Sequence, residues 1–231
     1  MSDAMLYTPH GCVLYLDLRK PVGDKLFDYS GHGNHGTIYG AKLNQELPTR
    51  GLEFDGVDDY VKVPHNDIFN VQAHSVEILL YERTFRAWDY FAGLVRKGDE
   101  ITYSFEVVLY GNGEVKVWLK AGGKDYGFSL GTISLKRWYH IAYSYDCSFV
   151  KTYLNGSLTD STPFAEALDI NTKELRIAEG GNIGRRTPHG IMLLVRIYNR
   201  ALSSDEIKKC FEDIQKRILR RIVAARDVSV R

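Results

Sequence analysis

The chain has 231 residues and a formal net charge of +1 at pH 7, which gives no electrostatic reason to expect a nucleic-acid partner. No apolar run approaches the ~20 residues of a membrane-spanning helix, and the first residues lack the basic and apolar regions of a signal peptide. We therefore expect a cytoplasmic or virion-associated protein that does not bind membranes. The 15 Tyr, 10 Phe and 21 Gly favour strands joined by glycine turns.

The first third of the chain alternates between short strands and glycine turns. Residues 12–18 predict a strand, and four glycines in residues 28–41 predict a loop. This loop is not a phosphate-binding P-loop, because no Gly-Lys-Ser/Thr follows it. Residues 51–63 predict two strands broken at Asp55-Gly56. Residues 74–82 are apolar on both faces in the middle, as in a strand that is covered on both sides.

The middle of the chain continues in strands, with a three-strand meander at residues 137–160. In it Tyr139, Ile141, Tyr143 and Tyr145 share one face by period-two alternation. Asn155-Gly156 predicts a tight hairpin with positive φ at both positions. The remaining predicted strands are residues 89–97, 101–110, 114–120, 125–130, 174–178 and 190–198.

One convincing helix follows the strands. Ser203 and Glu206 have the spacing of a capping box, and an apolar stripe runs from Ile207 to Ile222. We predict one β-sandwich domain at residues 1–202 and an amphipathic basic helix at residues 203–231. Because the stripe is longer than the sandwich needs, a contact with a second subunit is an alternative use of this helix.

Cysteines and histidines show no metal or disulfide framework. Cys12, Cys147 and Cys210 are odd in number and far apart, so free thiols are expected, with a Cys12–Cys210 bridge as the alternative. His32 and His35 are close together but lack a third zinc ligand.

Five segments resemble, in their order, the laminin-G-like and concanavalin-A-like jelly rolls. They are DYSGHGNHGT at residue 28, GLEFDGVDDYVKVP at 51, RWYHIAYSYD at 137, YLNGSL at 153 and VRIYNRALSSDEI at 195. The resemblance covers roughly residues 14–211. It implies an all-β fold, a two-sheet antiparallel jelly-roll sandwich with one C-terminal α-helix. It also implies a non-catalytic module that binds glycans or proteins, often with calcium.

The resemblance has a departure that bears on calcium. In the last strand, Leu193 and Leu194 stand where the family usually has an Asp and a Glu. The remaining calcium candidates are Asp17, Asp28 and Asp55, the last in the turn that ends at Asp59. Carboxylates of this kind are typical Ca²⁺ ligands, but aspartates also cap turns without any ion.

An enzymatic function is not expected. Retaining glycosidases need two carboxylates about 5 Å apart, and no strand carries such a pair. Glu77, Glu82 and Glu106 are isolated and are interpreted as solvated strand residues. A glycoside hydrolase or polysaccharide lyase stays the minor alternative.

Glycan binding is the leading hypothesis. Sugars stack on exposed aromatic rings while polar side chains bind their hydroxyls. Trp118 between Lys116 and Lys120 fits best, whereas Trp138 is expected to be structural. The full predicted site comprises Trp118, Trp88, Tyr90, Tyr126, Arg185 and His189. The main alternative is a structural or assembly protein, such as a virion or surface-layer component, that forms a homo-oligomer.

Overall fold

The computed structural model describes residues 6–47, 50–85, 91–179 and 187–219. Within these ranges the chain forms sixteen strands and one α-helix. The elements are β1 (Cys12–Asp17), β2 (Lys25–Leu26), β3 (Gly36–Tyr39), β4 (Lys42–Leu43), β5 (Leu52–Asp55), β6 (Tyr60–Val63), β7 (His74–Thr84), β8 (Phe91–Gly98), β9 (Tyr103–Tyr110), β10 (Glu114–Ala121), β11 (Lys124–Thr132), β12 (Trp138–Tyr145), β13 (Phe149–Leu154), β14 (Ser157–Pro163), β15 (Leu175–Ile177), β16 (His189–Tyr198) and α1 (Ser204–Ile214).

The strands form two antiparallel sheets. The first sheet has the order β14-β13-β12-β7-β16-β5-β4, with β1 also paired to β16. The second has the order β11-β10-β9-β8-β15-β6-β3-β2. This confirms the predicted all-β, two-sheet sandwich with a C-terminal helix.

The main hydrophobic core lies between the inner faces of the two sheets. Ile141, Tyr143 and Tyr145 of β12 are buried in it, as their alternation predicted. Asn155 and Gly156 have φ values of 51° and 75°, which confirms the tight hairpin between β13 and β14. The glycine-rich loop, in contrast, was predicted without a strand, and its last part forms β3.

One histidine is buried in this core. His74 stacks on Phe105, and its Nδ1 lies 3.1 Å from the Gln72 carbonyl oxygen. A carbonyl only accepts, so Nδ1 carries the proton and Nε2 accepts from the Tyr143 hydroxyl at 2.6 Å. Burial lowers the pKa of His74 from 6.5 to about 4, because no negative charge compensates for the desolvation of an imidazolium.

We expect His74 to make the protein less stable in mild acid. The unfolded chain takes up this proton near pH 6.5, whereas the folded protein takes it up only near pH 4. The contribution of His74 to the free energy of unfolding is therefore complete above pH 6.5 and is lost as the pH falls towards 4. The total loss is about 3 kcal/mol. His74→Gln keeps a donor and an acceptor but does not titrate.

Urea unfolding between pH 7 and pH 4 measures this effect. The His74→Gln variant should lose most of the pH dependence, and His32→Gln, which alters an exposed histidine, should keep it. Equal pH dependence in both variants would contradict the assignment.

A second hydrophobic cluster lies on the outer face of the first sheet, beneath α1. Leu79, Tyr153, Leu193 and Leu194 pack there with buried apolar residues of the C-terminal segment: Leu202, Ile207, Ile214 and Ile218. Leu193 and Leu194 therefore lie at a face covered by the helix, where an unpaired charge would be costly.

The helix begins as predicted. Ser203 is its N-cap, and the capping box with Glu206 is complete. The helical backbone continues through the turn Gln215–Leu219. Ile207, Cys210, Ile214 and Ile218 of the described stripe are buried against its own sheet; the stripe's predicted end at Ile222 lies outside the described residues, and a contact with a second subunit stays a prediction. No described helix is long and apolar enough to cross a membrane.

The three glutamates interpreted as solvated are buried, and that prediction was wrong. Glu77, Glu82 and Glu106 are 0%, 1% and 5% exposed. Glu77 lies under the second cluster, and Glu82 accepts a hydrogen bond from the backbone of His189. The described cysteines are free thiols, as expected.

Candidate functional site

The outer face of the second sheet carries a cavity of about 290 Å³. Aromatic and charged side chains line it together, which is the composition expected of a small-ligand site. The lining residues are Phe91, Arg96, Glu100, Tyr103, Glu106, Tyr110, Trp118 and Asp125.

Side chains that alternate between the core and the outer face in three neighbouring strands build this cavity. In β10, Val117 and Leu119 enter the core, so Trp118 between them points outward. Strand register then places Arg96 of β8 beside Glu106 of β9, and Glu106 beside Trp118. The three side chains thus form one row across the outer face.

Trp118 is held by its neighbours in the sheet. It is paired with Gly127 of β11, and a Cβ at Gly127 would lie 2.8 Å from Cζ3 of the indole. The ring therefore occupies the space that a side chain at this position would fill. Its Nε1 donates to the Tyr110 hydroxyl at 3.1 Å, and the Lys116 ammonium lies 5.4 Å from the centre of the Tyr110 ring. These contacts fix an aromatic surface at the edge of the cavity.

A buried ion pair forms the floor of the cavity. Arg96 Nη1 and Glu106 Oε1 are 3.7 Å apart, and the residues are only 3% and 5% exposed. Arg96 Nε has no hydrogen-bond partner among the described residues. A buried donor of this kind is costly to leave unsatisfied, so the floor is suited to a polar ligand.

Asp125 supplies a charged acceptor at the rim. It accepts from the Tyr103 hydroxyl at 2.7 Å and from the Lys120 ammonium at 2.9 Å. The hydrogen bond from Lys120 holds the pKa of Asp125 below its usual value, against a smaller opposing effect of burial. Burial, followed by the contact with Asp125, raises the pKa of Tyr103. At neutral pH the rim therefore presents a carboxylate and a neutral phenol.

The structure places the predicted sugar-binding residues on different surfaces. Trp118 borders the cavity. Tyr126 contacts the main core, with its ring centroid 5.0 Å from that of Phe164, so it lies on the inner side of the sheet. His189 lies on the first sheet, where its Nδ1 is 2.8 Å from the Thr84 hydroxyl. Trp88, Tyr90 and Arg185 lie outside the described residues.

Seven residues that line the cavity were not recognised in the sequence as site residues. They are Phe91, Arg96, Glu100, Tyr103, Glu106, Tyr110 and Asp125. A period-two reading of β9 could have placed Glu106 and Tyr110 on one face. Their meeting with Trp118 depends on strand register, which the alternation alone does not give.

All three predicted calcium ligands accept hydrogen bonds from the protein itself, and Asp55 accepts one from the backbone N–H of Val57. Asp17 receives two hydrogen bonds from the Arg19 guanidinium, at 2.7 and 2.6 Å. Asp28 accepts from the backbone N–H groups of Tyr15, Ser30 and Asn34 and from the Ser30 hydroxyl. These contacts are those of aspartates that organise turns.

The third candidate lies in an acidic turn. Carboxylate oxygens of Asp55, Asp58 and Asp59 all lie within 4.8 Å of one another, and this group contains neither Asp17 nor Asp28. Burial raises the pKa of Asp59, and the charges of Asp55 and Asp58 raise it further. Three carboxylates are compatible with Ca²⁺, and calcium binding stays a prediction.

The fold is shared with larger proteins of known structure. The binding domain of paraclostridial mosquitocidal protein 1 matches with a TM-score of 0.72 and 16% identity, over 87% of this chain and 52% of that one. A botulinum neurotoxin type C structure, whose cell entry is described as dependent on two ganglioside molecules, matches with a TM-score of 0.67 and 15% identity, over 89% and 51%.

An enzyme shares the fold as well. Trypanosoma rangeli sialidase in complex with sialic acid matches with a TM-score of 0.69 and 17% identity, over 92% of this chain and 34% of the sialidase. The chain thus spans about half the length of the two binding proteins and a third of the sialidase. At these identities the likeness establishes the fold alone.

Sequence comparison assigns the family. No curated protein matches the chain. A laminin G family model (Laminin_G_3), described as the concanavalin A-like lectin/glucanases superfamily, matches residues 55–208. That range holds most of the strands of both sheets, including those that build the cavity. Because the match covers more than half of the chain, the protein belongs to the laminin G-like branch of the concanavalin A-like lectin/glucanase superfamily.

Proposed function

We propose that the protein is a non-catalytic glycan-binding module that holds a sugar in the cavity beside Trp118. The observation that carries this proposal is the indole, fixed above Gly127 and next to the Arg96–Glu106 pair. An aromatic face of this kind can stack on the apolar face of a sugar. The adjacent charged groups can donate to and accept from its hydroxyls.

The charges of the cavity favour a neutral sugar over an acidic one. Three carboxylates, those of Glu100, Glu106 and Asp125, line it together with one guanidinium, that of Arg96. Among the described residues, Lys120 pairs with Asp125 and Arg96 lies beside Glu106. A sialic acid carboxylate would have to compete with Asp125 and Glu106 for these cations, whereas the hydroxyl groups of a neutral sugar would not.

The same charges argue against hydrolysis. A glycosidase needs one carboxyl group that stays protonated as the general acid, which requires a raised pKa. The pKa of Asp125 is lowered by Lys120 instead.

Fold relatives support a glycan rather than a protein as ligand. A botulinum neurotoxin binding domain of this fold is described in complex with a sialylated sugar, and another as dependent on gangliosides. Those ligands are acidic, so the lining of this cavity argues for a different sugar class within the same kind of activity.

A panel of immobilised glycans tests the proposal. It should include linear neutral oligosaccharides of glucose, galactose and N-acetylglucosamine, and sialylated forms of the same chains. We expect retention on neutral glycans, with at least about 10-fold weaker retention on their sialylated counterparts. In solution, the bound sugar should shift the NMR signal of the Trp118 indole N–H.

Two results would overturn the proposal or part of it. Retention on no glycan would contradict glycan binding. Retention restricted to sialylated chains would contradict the selection for neutral sugars and would assign the binding to another surface.

A further inference from the structure

We infer that a second aromatic contact, formed by Tyr39 and Tyr60, lies on the same outer face, and that the ligand is therefore an oligosaccharide chain rather than a single terminal sugar. This inference rests on the proposed function, because it extends the Trp118 cavity across the sheet.

Tyr39 and Tyr60 form an ordered aromatic pair. They are register partners on β3 and β6, with ring centroids 4.6 Å apart and planes within 10° of each other. Tyr39 is 41% exposed, so part of its ring is open to a ligand. The guanidinium of Arg176 lies 5.5 Å from the centre of the Tyr60 ring. The pair is thus supported from one side and open on the other.

Strand register places this pair on the face that carries Trp118. Val61 and Ile177 enter the main core, so Tyr60 and Arg176 point outward. Arg176 is paired with Arg96, which shares the outward row of Glu106 and Trp118. Both aromatic surfaces therefore lie on one continuous face of the second sheet.

The two surfaces are separated by a distance that only a chain can span. From β10 to β6 the order is β10-β9-β8-β15-β6, which is four steps between strands. At about 4.8 Å a step, Trp118 and Tyr60 stand on strands about 19 Å apart. A single sugar in the cavity cannot reach Tyr60, whereas several linked sugars can.

The floor between the two surfaces is polar along its length. After the Arg96–Glu106 pair, Arg176 Nη2 contacts Glu174 Oε1 at 2.6 Å, and Lys62 Nζ lies 3.4 Å from the same oxygen. Arg176 also binds Glu179. Alternating donors and acceptors of this kind suit the hydroxyl groups of successive sugars.

A ladder of linear neutral oligosaccharides, from disaccharide to octasaccharide, tests the inference by calorimetry. We expect the wild-type affinity to rise with chain length and to level off once the chain spans both surfaces. Tyr39→Ala and Tyr60→Ala should remove this gain, by on the order of 10-fold for the octasaccharide, and leave disaccharide affinity unchanged. Tyr29→Ala, which removes a tyrosine of similar exposure away from this face, is the matched control.

The outcomes separate this inference from the proposed function. Affinity that depends on Trp118 but not on chain length would overturn the second contact and leave the function standing. Equal losses at every length in Tyr39→Ala would also overturn it, because the pair would then only stabilise the sheet. Absence of Trp118-dependent binding at any length would overturn both.

Discussion

Trp118→Ala is expected to weaken glycan binding at least about 30-fold, a loss of ~2 kcal/mol that is typical of a central aromatic contact. The variant removes the stacking surface and the Nε1 donor to Tyr110 at once. Folding should be nearly unaffected, because the ring lies on the outer face of β10 and not in the core. Calorimetric titration with the best neutral oligosaccharide measures the loss, and the thermal unfolding midpoint checks the fold.

A second variant tests whether binding depends on the position of the Trp118 ring and not only on its presence. Gly127→Ala keeps Trp118 but places a methyl group 2.8 Å from its ring, so the indole must move. We expect a smaller loss of affinity than for Trp118→Ala, in the same direction. Ser129→Ala, at an exposed position of the same strand, is the matched control. Wild-type affinity in Trp118→Ala would contradict the assignment of the site.

Much of this architecture could be predicted from alternation and turn chemistry. The outward position of Trp118 follows from Val117 and Leu119 on either side of it, and the β13–β14 hairpin follows from Asn155-Gly156. The order of five sequence segments between residues 28 and 207 was enough to identify the fold family. These features are local, so a single strand or turn contains the information.

The rest of the site depends on contacts between distant strands. Arg96 and Glu106 meet because of the register of β8 and β9, which no local pattern fixes. Tyr126 was assigned to the site as a further aromatic residue that could contact a sugar. Its pairing with Leu119 places it on the core side instead.

The wrong prediction that the three glutamates are solvated has a related cause. A Glu that alternates with apolar residues looks solvated when only its own strand is considered. For Glu77 the deciding factor is a helix more than a hundred residues later, which covers the outer face of the first sheet. Its buried partner Arg196 was visible in the sequence, but their adjacency follows from the pairing of β7 with β16.

Glu77 is the centre of a charged network beneath this helix. Its Oε2 lies 3.1 Å from Arg196 Nε and accepts from the Tyr198 hydroxyl at 2.7 Å. Its Oε1 is 3.0 Å from His140 Nε2. Burial alone would raise the pKa of Glu77, but Arg196, His140 and Tyr198 outweigh it and lower the pKa from 4.5 to about 2. The carboxylate therefore stays charged in the folded protein.

Glu77→Leu is expected to destabilise the protein by about 3–5 kcal/mol, because it leaves the Arg196 guanidinium buried without its counter-charge. Arg196 would keep its contacts with the Tyr7 carbonyl, the Thr8 hydroxyl and the Tyr15 ring, none of which carries a negative charge. Urea unfolding at pH 7 measures the change. Lys151→Ala, which breaks an exposed pair with Asp146, is the control and should cost at most about 1 kcal/mol.

The double variant Glu77→Leu with Arg196→Met distinguishes an unpaired charge from a packing defect. If the cost comes from the orphaned guanidinium, replacing both partners by apolar residues should recover much of the stability. Additive losses in the double variant would contradict this explanation.

Acid titration gives an independent check. The contribution of Glu77 is complete above pH 4.5 and is lost as the pH falls towards 2. Glu77→Leu should lack this part of the acid transition, since it has no carboxylate to protonate.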